Sequence, residues 1–337
     1  VLPWSVFITL FMIQLFVPMT FNKALNKVGA DIGFLHKNTR IHADLLDILH
    51  KETFDAAENR DLKKELFGTH NSREALKELS SLLKKFDQRN NAYILVLLNG
   101  FFLRDLFLLR QFYRWKDNYL DHIQLWISAL SEMEARVSQS TYMFNLPEFV
   151  QPEIMQDVDL LVDASGLGHP FIPKEKRVDN DILISKKQFL IITGANMAGK
   201  STFLRTLGAN YILAVNGMNV CAVKFSFTLF HLFSSMRNTD DLSSGISYFK
   251  AELERMRELI RYCRTHRHTL IILDELLKGT NSKDKLDGSI LFLKKMAELP
   301  VTGIIATHDL ELAKLEDGSP GSFQNYCFEI SLSEEEQ

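Results

Sequence analysis

The sequence has few cysteines and few prolines. Its three cysteines, Cys221, Cys263 and Cys327, stand far apart and show no metal-binding spacing. We interpret them as reduced core thiols of a cytosolic protein, which excludes a disulfide framework. None of the eight prolines falls between Pro18 and Pro147. Because proline disrupts helix interiors, this gap favours long helices.

The charges nearly cancel, with 39 lysines and arginines against 42 acidic residues and a formal net charge of −3. This balance excludes a uniformly basic protein, so contact with nucleic acid requires a local patch or another segment. The apolar and charged fractions, 46% and 24%, are ordinary for a globular protein. A length of 337 residues suits about two domains with cores of their own. The first residue is Val1, and we expect a fragment of a longer protein, truncated at its C-terminus.

The chain opens with an uncharged apolar segment, residues 4–21. Its length of about eighteen residues is at the lower limit for a transmembrane helix. The basic residues that follow it, Lys23 and Lys27, favour membrane anchoring with the rest of the chain on the cytoplasmic face of the inner or plasma membrane. The alternative is a buried helix of a larger core in a cytoplasmic protein, which Gln14 and Pro18 favour.

Residues 23–145 show helical periodicity throughout. Apolar residues recur three or four positions apart, which predicts helices that each bury one face. The predicted helices include residues 41–49, 76–86, 91–116 and 119–137. A turn at 68–72 precedes the second of these, with Ser72 as its predicted cap. Arg104 and Asp105 interrupt the apolar run of the third, which favours a long buried helix over a second membrane span.

The composition changes near Asn145, where prolines and glycines mark the entry to a new domain, residues 146–337. Beyond this point, short apolar runs alternate with helical patterns, which predicts an α/β fold with a parallel sheet and flanking helices. The predicted strands are residues 189–192, 220–227, 270–273 and 301–306, the last of the sheet. In such a sheet, ligands collect at the carboxyl ends of the strands.

The first of these strand ends, between a strand and a helix, carries the phosphate-loop pattern G-x-x-x-x-G-K-S. Its backbone N–H groups and the following helix N-terminus are expected to cradle phosphates. Lys200 is expected to reach the β- and γ-phosphates of ATP, and Ser201 to hold Mg²⁺. The predicted ATP-binding residues are Gly194, Ala195, Asn196, Met197, Ala198, Gly199, Lys200, Ser201 and Thr202.

Two further strand ends supply candidate catalytic groups. Asp274 is expected to join Ser201 in holding the metal, and Glu275 to orient or deprotonate the attacking water. His308 follows the next strand, where it is placed to sense the γ-phosphate. Lys200, Glu275 and His308 are therefore the predicted catalytic residues. An acidic pair after an apolar run, taken alone, is often only a strand terminus.

A serine-containing loop, with Ser244, Gly245 and Ser247, opens a later amphipathic helix and forms an anion site of its own. The nucleotide bound by this chain is already contacted by the chain's own phosphate loop. We therefore expect the serine-containing loop to face the nucleotide of a second subunit. The alternative is that Ser247 only caps the helix, which contributes about 1 kcal/mol. Both roles are compatible.

Four stretches, TGANMAGKST, DDLSSGISYF, LDELLKGTNS and ATHD, occur in the order and spacing of the MutS family of DNA mismatch-repair proteins. The region from Gly168 to His308 thus resembles that family's ATPase domain, an ABC-type P-loop NTPase, and the helices before it resemble the family's lever helices. The resemblance implies an ATPase that uses ATP and Mg²⁺, forms a homodimer through the ATPase domain, and binds DNA in mismatch repair or damage sensing.

By position, the resemblance assigns Asn196, Lys200 and Ser201 to the phosphates and Mg²⁺, and Asp274 with Glu275 to the Walker B pair. It assigns Ser247 to the site of the partner subunit and His308 to the switch histidine. The chain departs from the family pattern in three places. They are Ile246 in place of arginine, Lys278 in the usual G-R-G-T, and Arg177-Val178 where an aromatic residue stacks on adenine.

Two other functions share part of this pattern. Transporter-type ATPases have the same phosphate loop, acidic pair and histidine, but their signature is L-S-G-G-Q, and here the corresponding loop reads S-S-G-I-S-Y-F. The second alternative is a membrane-tethered scaffold, anchored through residues 4–21, in which nucleotide controls dimerisation only.

Overall fold

The computed structural model describes residues 3–156, 159–195, 197–236, 248–277, 282–319 and 321–329. The predicted site residues Asn196, Ser244, Gly245 and Ser247 lie outside these ranges. The chain divides into two compact units, residues 1–140 and 141–337.

The first unit is helical over most of its described residues. Its helices are α1 (Trp4–Thr20), α2 (Asn22–Lys51), α3 (Ala57–Phe67), α4 (Ser72–Asp87), α5 (Ala92–Phe102) and α6 (Arg104–Asn145). Leu25 of α2, Leu83 of α4 and Trp115 of α6 meet in one buried cluster. The Trp115 indole N–H also donates to the carbonyl oxygen of Ala75 at 2.8 Å, which ties α6 to α4.

Two predicted helix boundaries in this unit are wrong. The predicted helix 91–116 breaks at Leu103, which has a φ of +50°. At this break the Asn99 side chain accepts the Asp105 N–H at 2.9 Å, and the buried Asp105 carboxylate pairs with Arg89 at 3.0 Å. Because these groups satisfy the broken helix end, α6 can begin at Arg104, and it then continues through the gap predicted near residue 118.

The cap of α4 also differs from the prediction. Asn71, not Ser72, is the N-cap, and its side-chain oxygen accepts the N–H groups of Arg73 and Glu74 at 3.0 and 3.3 Å. Ser72 is instead the first helical residue and is buried. Asparagine satisfies free N–H groups at a helix start as well as serine does, so the residue type alone does not decide between neighbours.

The apolar segment 4–21 does not form a single membrane-spanning helix. α1 ends at Thr20, and Pro18 lies within it. Among the described residues, no single helix is long and apolar enough to cross a membrane. Trp4–Pro18 and Asn22–Gly29 are long and apolar enough only when taken together, and the chain bends by 52° between them. The prediction of one straight span is therefore not supported.

The second unit contains two sheets. Its strands are β1 (Glu153–Ile154), β2 (Leu160–Leu167), β3 (Asn180–Ser185), β4 (Phe189–Gly194), β5 (Lys224–Phe227), β6 (His231–Ser235), β7 (Thr269–Asp274), β8 (Val301–Ala306) and β9 (Phe323–Phe328). Five strands form a parallel sheet in the order β6-β7-β8-β4-β9, and four form a mixed sheet in the order β1-β5-β2-β3. The predicted α/β fold with a parallel sheet is confirmed.

Helices cover both faces of the parallel sheet. They are α7 (Lys200–Val215), α8 (Tyr248–Thr265), α9 (Ser282–Ala297) and the short α10 (Leu315–Gly318). Leu190 and Ile192 of β4 pack in a cluster with α7, whereas Phe189 and Ile191 pack in a second cluster with α8 and α9. Because both faces are buried, β4 reads as a continuous apolar run rather than an alternating one.

The sequence missed the mixed sheet and two strands of the parallel one, β6 and β9. The predicted last strand, β8, is followed by β9, which pairs with β4. The predicted strand 220–227 shortens to β5, because Phe225 and Phe227 are buried while Val223 is 75% exposed. Cys221 and Cys263 are buried as predicted, but Cys327 is exposed, so the prediction of three core thiols is wrong for that residue.

Candidate nucleotide site

The candidate site lies where three adjacent strands, β7, β8 and β4, end at the same edge of the parallel sheet. Asp274 of β7 and Ile192 of β4 are both in register with Ala306 of β8. The residues that follow these positions therefore emerge side by side. They include the phosphate loop after β4, Glu275 after β7 and His308 after β8.

Two glycines give the phosphate loop its shape. Gly194 has a φ of +140°, and a Cβ atom there would lie 2.3 Å from the carbonyl oxygen of Phe328, so β9 leaves no room for a side chain. Gly199 has a φ of +92° and is the N-cap of α7, with no side-chain hydrogen bond at the cap. The first N–H groups of α7 thus remain directed into the loop, which is the arrangement that binds anions.

The other predicted loop residues follow this course. Met197 has a φ of +65° and a side chain that is 98% exposed. The Ala198 N–H donates to the carbonyl oxygen of Ala195 at 3.4 Å, which closes the turn. Thr202 lies in the first turn of α7, and its carbonyl oxygen accepts from the Thr206 hydroxyl.

Lys200 is held inside the loop. Its side chain is buried, and its ammonium donates to the carbonyl oxygens of Gly194 at 2.8 Å and Ala195 at 2.7 Å. A third neighbour is Nδ1 of His308, at 3.2 Å. Burial lowers the pKa of Lys200, while the nearby carboxylates of Glu275 and Asp274 act to raise it. Lys200 is thus a partly desolvated cation inside the loop.

His308 links Lys200 to Glu275. Its Nε2 lies 2.9 Å from Oε1 of Glu275. Nδ1 lies 3.2 Å from the Lys200 ammonium, which has donors only, and 3.3 Å from the Gly194 carbonyl oxygen. The closer ammonium, together with the carboxylate on Nε2, favours the tautomer in which Nδ1 accepts and the Nε2–H donates to Glu275. Glu275 itself has a φ of +60°, and its backbone N–H donates to the carbonyl oxygen of Ala306 at 2.9 Å. This left-handed turn directs the carboxylate across the strand ends.

Ser201 and Asp274 form a second pair at the same edge. The Ser201 hydroxyl donates to Oδ1 of Asp274 at 2.9 Å, and Asp274 is almost fully buried. Hydroxyl and carboxylate oxygens are the ligands that Mg²⁺ prefers, and the ion commonly takes only one or two protein ligands beside phosphates and water. The two side chains therefore fit a Mg²⁺ site.

A pocket beside Glu275 contains a residue that the sequence analysis missed. Glu252 and Arg255 of α8 line this pocket together with Glu275. Oε2 of Glu252 is buried and has no hydrogen-bond partner among the described residues. Glu252 occupies the same helix face as Met256 and Leu259. A carboxylate at an otherwise apolar position was the signal that could have revealed it.

The region predicted to meet the nucleotide base is also ordered by an ion pair. Nε of Arg177 lies 2.6 Å from Oδ1 of Asp179, and the side chain of Arg177 is 10% exposed. Both side chains pack directly against Gly168, since a Cβ atom there would meet each within 2.3 Å. Val178 between them is 81% exposed. The arginine is therefore committed to Asp179 rather than presented to solvent.

Comparison with known proteins agrees with this architecture. The model of the family described as MutS domain V matches residues 190–337. The chain is 30% identical over 224 residues to the DNA mismatch repair protein MutS of Clostridium perfringens, and 30% identical over 227 residues to the protein of the same name from Clostridium botulinum strain Hall. Each alignment covers 64% of this chain but 24% of the relative. Over residues 190–337, the chain is therefore similar to domain V of the MutS family.

Proposed function

We propose that this chain is an ATPase that binds ATP with Mg²⁺ at the phosphate loop and hydrolyses it with Glu275 as the base. The observation that carries this proposal is the continuous set of contacts from Lys200 through His308 to Glu275. The Ser201–Asp274 pair lies at the same sheet edge. A phosphate cradle, a metal pair and a positioned carboxylate are the components that phosphoryl transfer to water requires.

Lys200 and the start of α7 bind and orient the phosphates. The ammonium now donates to two neutral loop carbonyls, and a phosphate oxygen is a stronger, charge-assisted acceptor. Ser201 and Asp274 would hold Mg²⁺, and the ion would supply positive charge to offset the negative charge of the phosphates. Partial burial of Lys200 strengthens its interaction with an anion, because the site has a lower dielectric constant than water.

Glu275 accepts a proton from the attacking water, and His308 positions Glu275. With Nε2–H donating to Oε1, the carboxylate has a fixed direction. The same imidazole contacts Lys200, so a change in the position of Lys200 on phosphate binding is transmitted to the base.

The site is completed by a second copy of the chain. Ser244, Gly245 and Ser247 immediately precede α8, where a helix N-terminus favours an anion. A mixed-subunit experiment tests this assignment. One partner carries Lys200→Ala and the other Ser247→Ala, so one of the two composite sites in a mixed dimer is intact. Recovery of hydrolysis on mixing supports the composite site, whereas two inactive variants that stay inactive together, despite dimerising, contradict it.

Hydrolysis in this account drives DNA binding through the helices of the first unit. The support is the family and the printed function of the relatives, DNA mismatch repair. Because the alignment covers about a quarter of each relative, repair or damage sensing is proposed for the full-length protein and not for these residues alone.

The direct test of the nucleotide site is the substitution Lys200→Ala, with Lys294→Ala on the exposed face of α9 as the control. Binding of a fluorescent ATP analogue and Mg²⁺-dependent release of phosphate are measured on the same preparations. We expect Lys200→Ala to lose both and Lys294→Ala to retain both. Retention of ATP binding by the Lys200 variant would show that the nucleotide is held elsewhere.

A further inference from the structure

The outer face of α8 carries a row of arginines that the nucleotide site does not use. Arg257, Arg261 and Arg264 are exposed and lie at spacings of four and three residues, which places them on one side of the helix. The buried residues Leu259 and Cys263 lie on the opposite side. Arg267, also exposed, extends the row past the helix end. We call Arg257, Arg261, Arg264 and Arg267 the α8 arginine row.

The row has a local excess of positive charge. Between residues 257 and 268 the only acidic residue is Glu258, and it pairs with Arg255 at 2.7 Å. Within the described part of the chain, no ion pair engages any arginine of the row. The chain as a whole carries a net charge of −3, so the row is a basic patch on a weakly acidic protein.

The helix dipole explains one member of the row. A cation in the last turn of a helix is stabilised by the partial negative charge there, and the effect fades within that turn. Arg264 is the basic residue in the last turn of α8. Arg257 and Arg261 lie further from the helix end, so they need another explanation.

Local contacts make the end of this row rigid. The rings of Tyr262 and His266 stack with centroids 4.0 Å apart, and His231 packs edge-on against His266 at 4.8 Å. The Thr265 hydroxyl donates to the carbonyl oxygen of Tyr262 at 2.9 Å. Since the backbone between α8 and β7 is held in this way, the arginines are presented from a fixed surface.

We propose that the α8 arginine row binds the phosphate backbone of duplex DNA, as a contact of the ATPase unit itself. Arg257 to Arg264 spans about 10 Å at 1.5 Å per residue, a length over which duplex DNA presents about six phosphates. Guanidinium groups donate two parallel hydrogen bonds to phosphate, and exposed, unpaired ones lose no existing ion pair on binding. The inference deepens the DNA-binding part of the proposed function and rests on it.

The test compares two triple variants of the full chain. The row variant carries Arg257→Gln, Arg261→Gln and Arg264→Gln. The control carries Lys174→Gln, Lys176→Gln and Lys294→Gln, which removes the same charge from exposed positions elsewhere in the unit. Binding to a fluorescent duplex DNA is measured over a series of salt concentrations. ATP binding and thermal unfolding are measured in parallel to show that both variants fold.

We expect the row variant to bind DNA more weakly. The slope of log K against log salt concentration should become less negative by about 2 to 3, because each of the three lost phosphate contacts contributes about 0.9 to it. Matched and mismatched duplexes should be affected equally, because phosphate contacts carry no sequence information. Equal slopes of log K against log salt for the row variant, the control and the unmodified chain would overturn the inference. A change in the self-association of the row variant would not alter that conclusion. Absence of DNA binding by the unmodified chain contradicts the DNA part of the proposed function as well.

Discussion

Nε2 of His308 lies 2.9 Å from Oε1 of Glu275, although the two residues are 33 positions apart in the sequence. The contact forms because β7 and β8 are adjacent parallel strands whose last residues, Asp274 and Ala306, are in register. On its other side His308 contacts Lys200 of the phosphate loop. One imidazole therefore connects the group expected to bind phosphate with the group expected to activate water.

Removing this imidazole should affect ATP hydrolysis much more than ATP binding. In His308→Ala, Lys200 keeps its place between the Gly194 and Ala195 carbonyls, so the affinity for ATP should change little. Glu275 loses its fixed direction, and the hydrolysis rate should fall by about 10- to 100-fold. Steady-state kcat and ATP affinity are measured separately, with His42→Ala on the exposed face of α2 as the control. A parallel fall in affinity and rate would indicate a merely structural histidine.

The close approach of β9 to the phosphate loop predicts a stability difference between two glycine substitutions. Gly194→Ala introduces a Cβ atom 2.3 Å from the Phe328 carbonyl oxygen at a φ of +140°. Gly217→Ala meets no atom within 4 Å at a φ of +71°. The second change should cost about 1 kcal/mol from backbone strain alone, and the first clearly more. Urea unfolding measures both, and equal losses would mean that β9 does not constrain the loop.

We expect a large loss of stability when the buried side-chain amide of Asn210 is removed. It is fully buried, and its Nδ2 donates to the carbonyl oxygens of Gly168 and Thr206 at 2.9 and 2.8 Å. Its Oδ1 accepts the Cys221 N–H at 2.8 Å. Asn210→Ala removes the side-chain partners of the Gly168 carbonyl and the Cys221 N–H, and should lower the free energy of unfolding by about 2–5 kcal/mol.

The control is Asn216→Ala at the C-terminal end of α7, which removes an exposed hydrogen bond from the Asn216 side chain to the Ile212 carbonyl oxygen. It should cost less than about 1 kcal/mol. Similar losses for the two variants, measured by chemical unfolding, would contradict the role given to Asn210 in holding the loop at Gly168 against α7.

The three cysteines should differ in their reactivity toward an alkylating reagent. Burial raises the pKa of the Cys263 thiol to about 11 and also raises that of Cys221, whereas Cys327 is exposed. Because the thiolate is the reactive form, an alkylating reagent near pH 8 should modify Cys327 in the folded chain and all three cysteines after unfolding. Peptide mass spectrometry locates the adducts. Labelling of Cys263 in the folded chain would disprove its burial.

The raised pKa of Cys263 should also make the stability of the chain depend on pH. The unfolded chain releases the Cys263 proton near the ordinary pKa of 9.0, and the folded chain holds it to about 11. Between these values the folded state binds more protons, so stability should fall as the pH rises. Cys263→Ala should weaken this dependence above pH 9.0, as measured by urea midpoints across the range. An unchanged slope would assign the dependence to other groups.

The sequence predicted the parts of the fold that local patterns encode. The run Phe189–Ile192 followed by the phosphate loop determines a buried strand, a turn and a helix within one short stretch, and the structure has all three. β9 and the strands of the mixed sheet other than β5 were missed because they carry no such local signal. β9, for example, is the edge strand with mixed residues FQNYCF and mostly half-buried side chains.

Contacts between distant residues account for the other differences. The break at Leu103 depends on Arg89 and Asn99, which satisfy Asp105, and no local pattern names those partners. Glu252 was missed because its position beside Glu275 follows from the packing of α8 and not from a motif. In contrast, the three strand ends could be grouped in advance, because parallel strands end at a common edge.

The most direct test of the central claim, that Glu275 activates water at a nucleotide site, is the substitution Glu275→Gln. Glutamine keeps the length of the side chain and an oxygen that accepts from His308 Nε2–H, but it cannot take a proton from water. ATP affinity and single-turnover hydrolysis are measured on the same preparation. We expect an affinity for ATP within about threefold of that of the unmodified chain and a hydrolysis rate lower by about 10²-fold or more. Hydrolysis at the unmodified rate, with ATP bound normally, would contradict it.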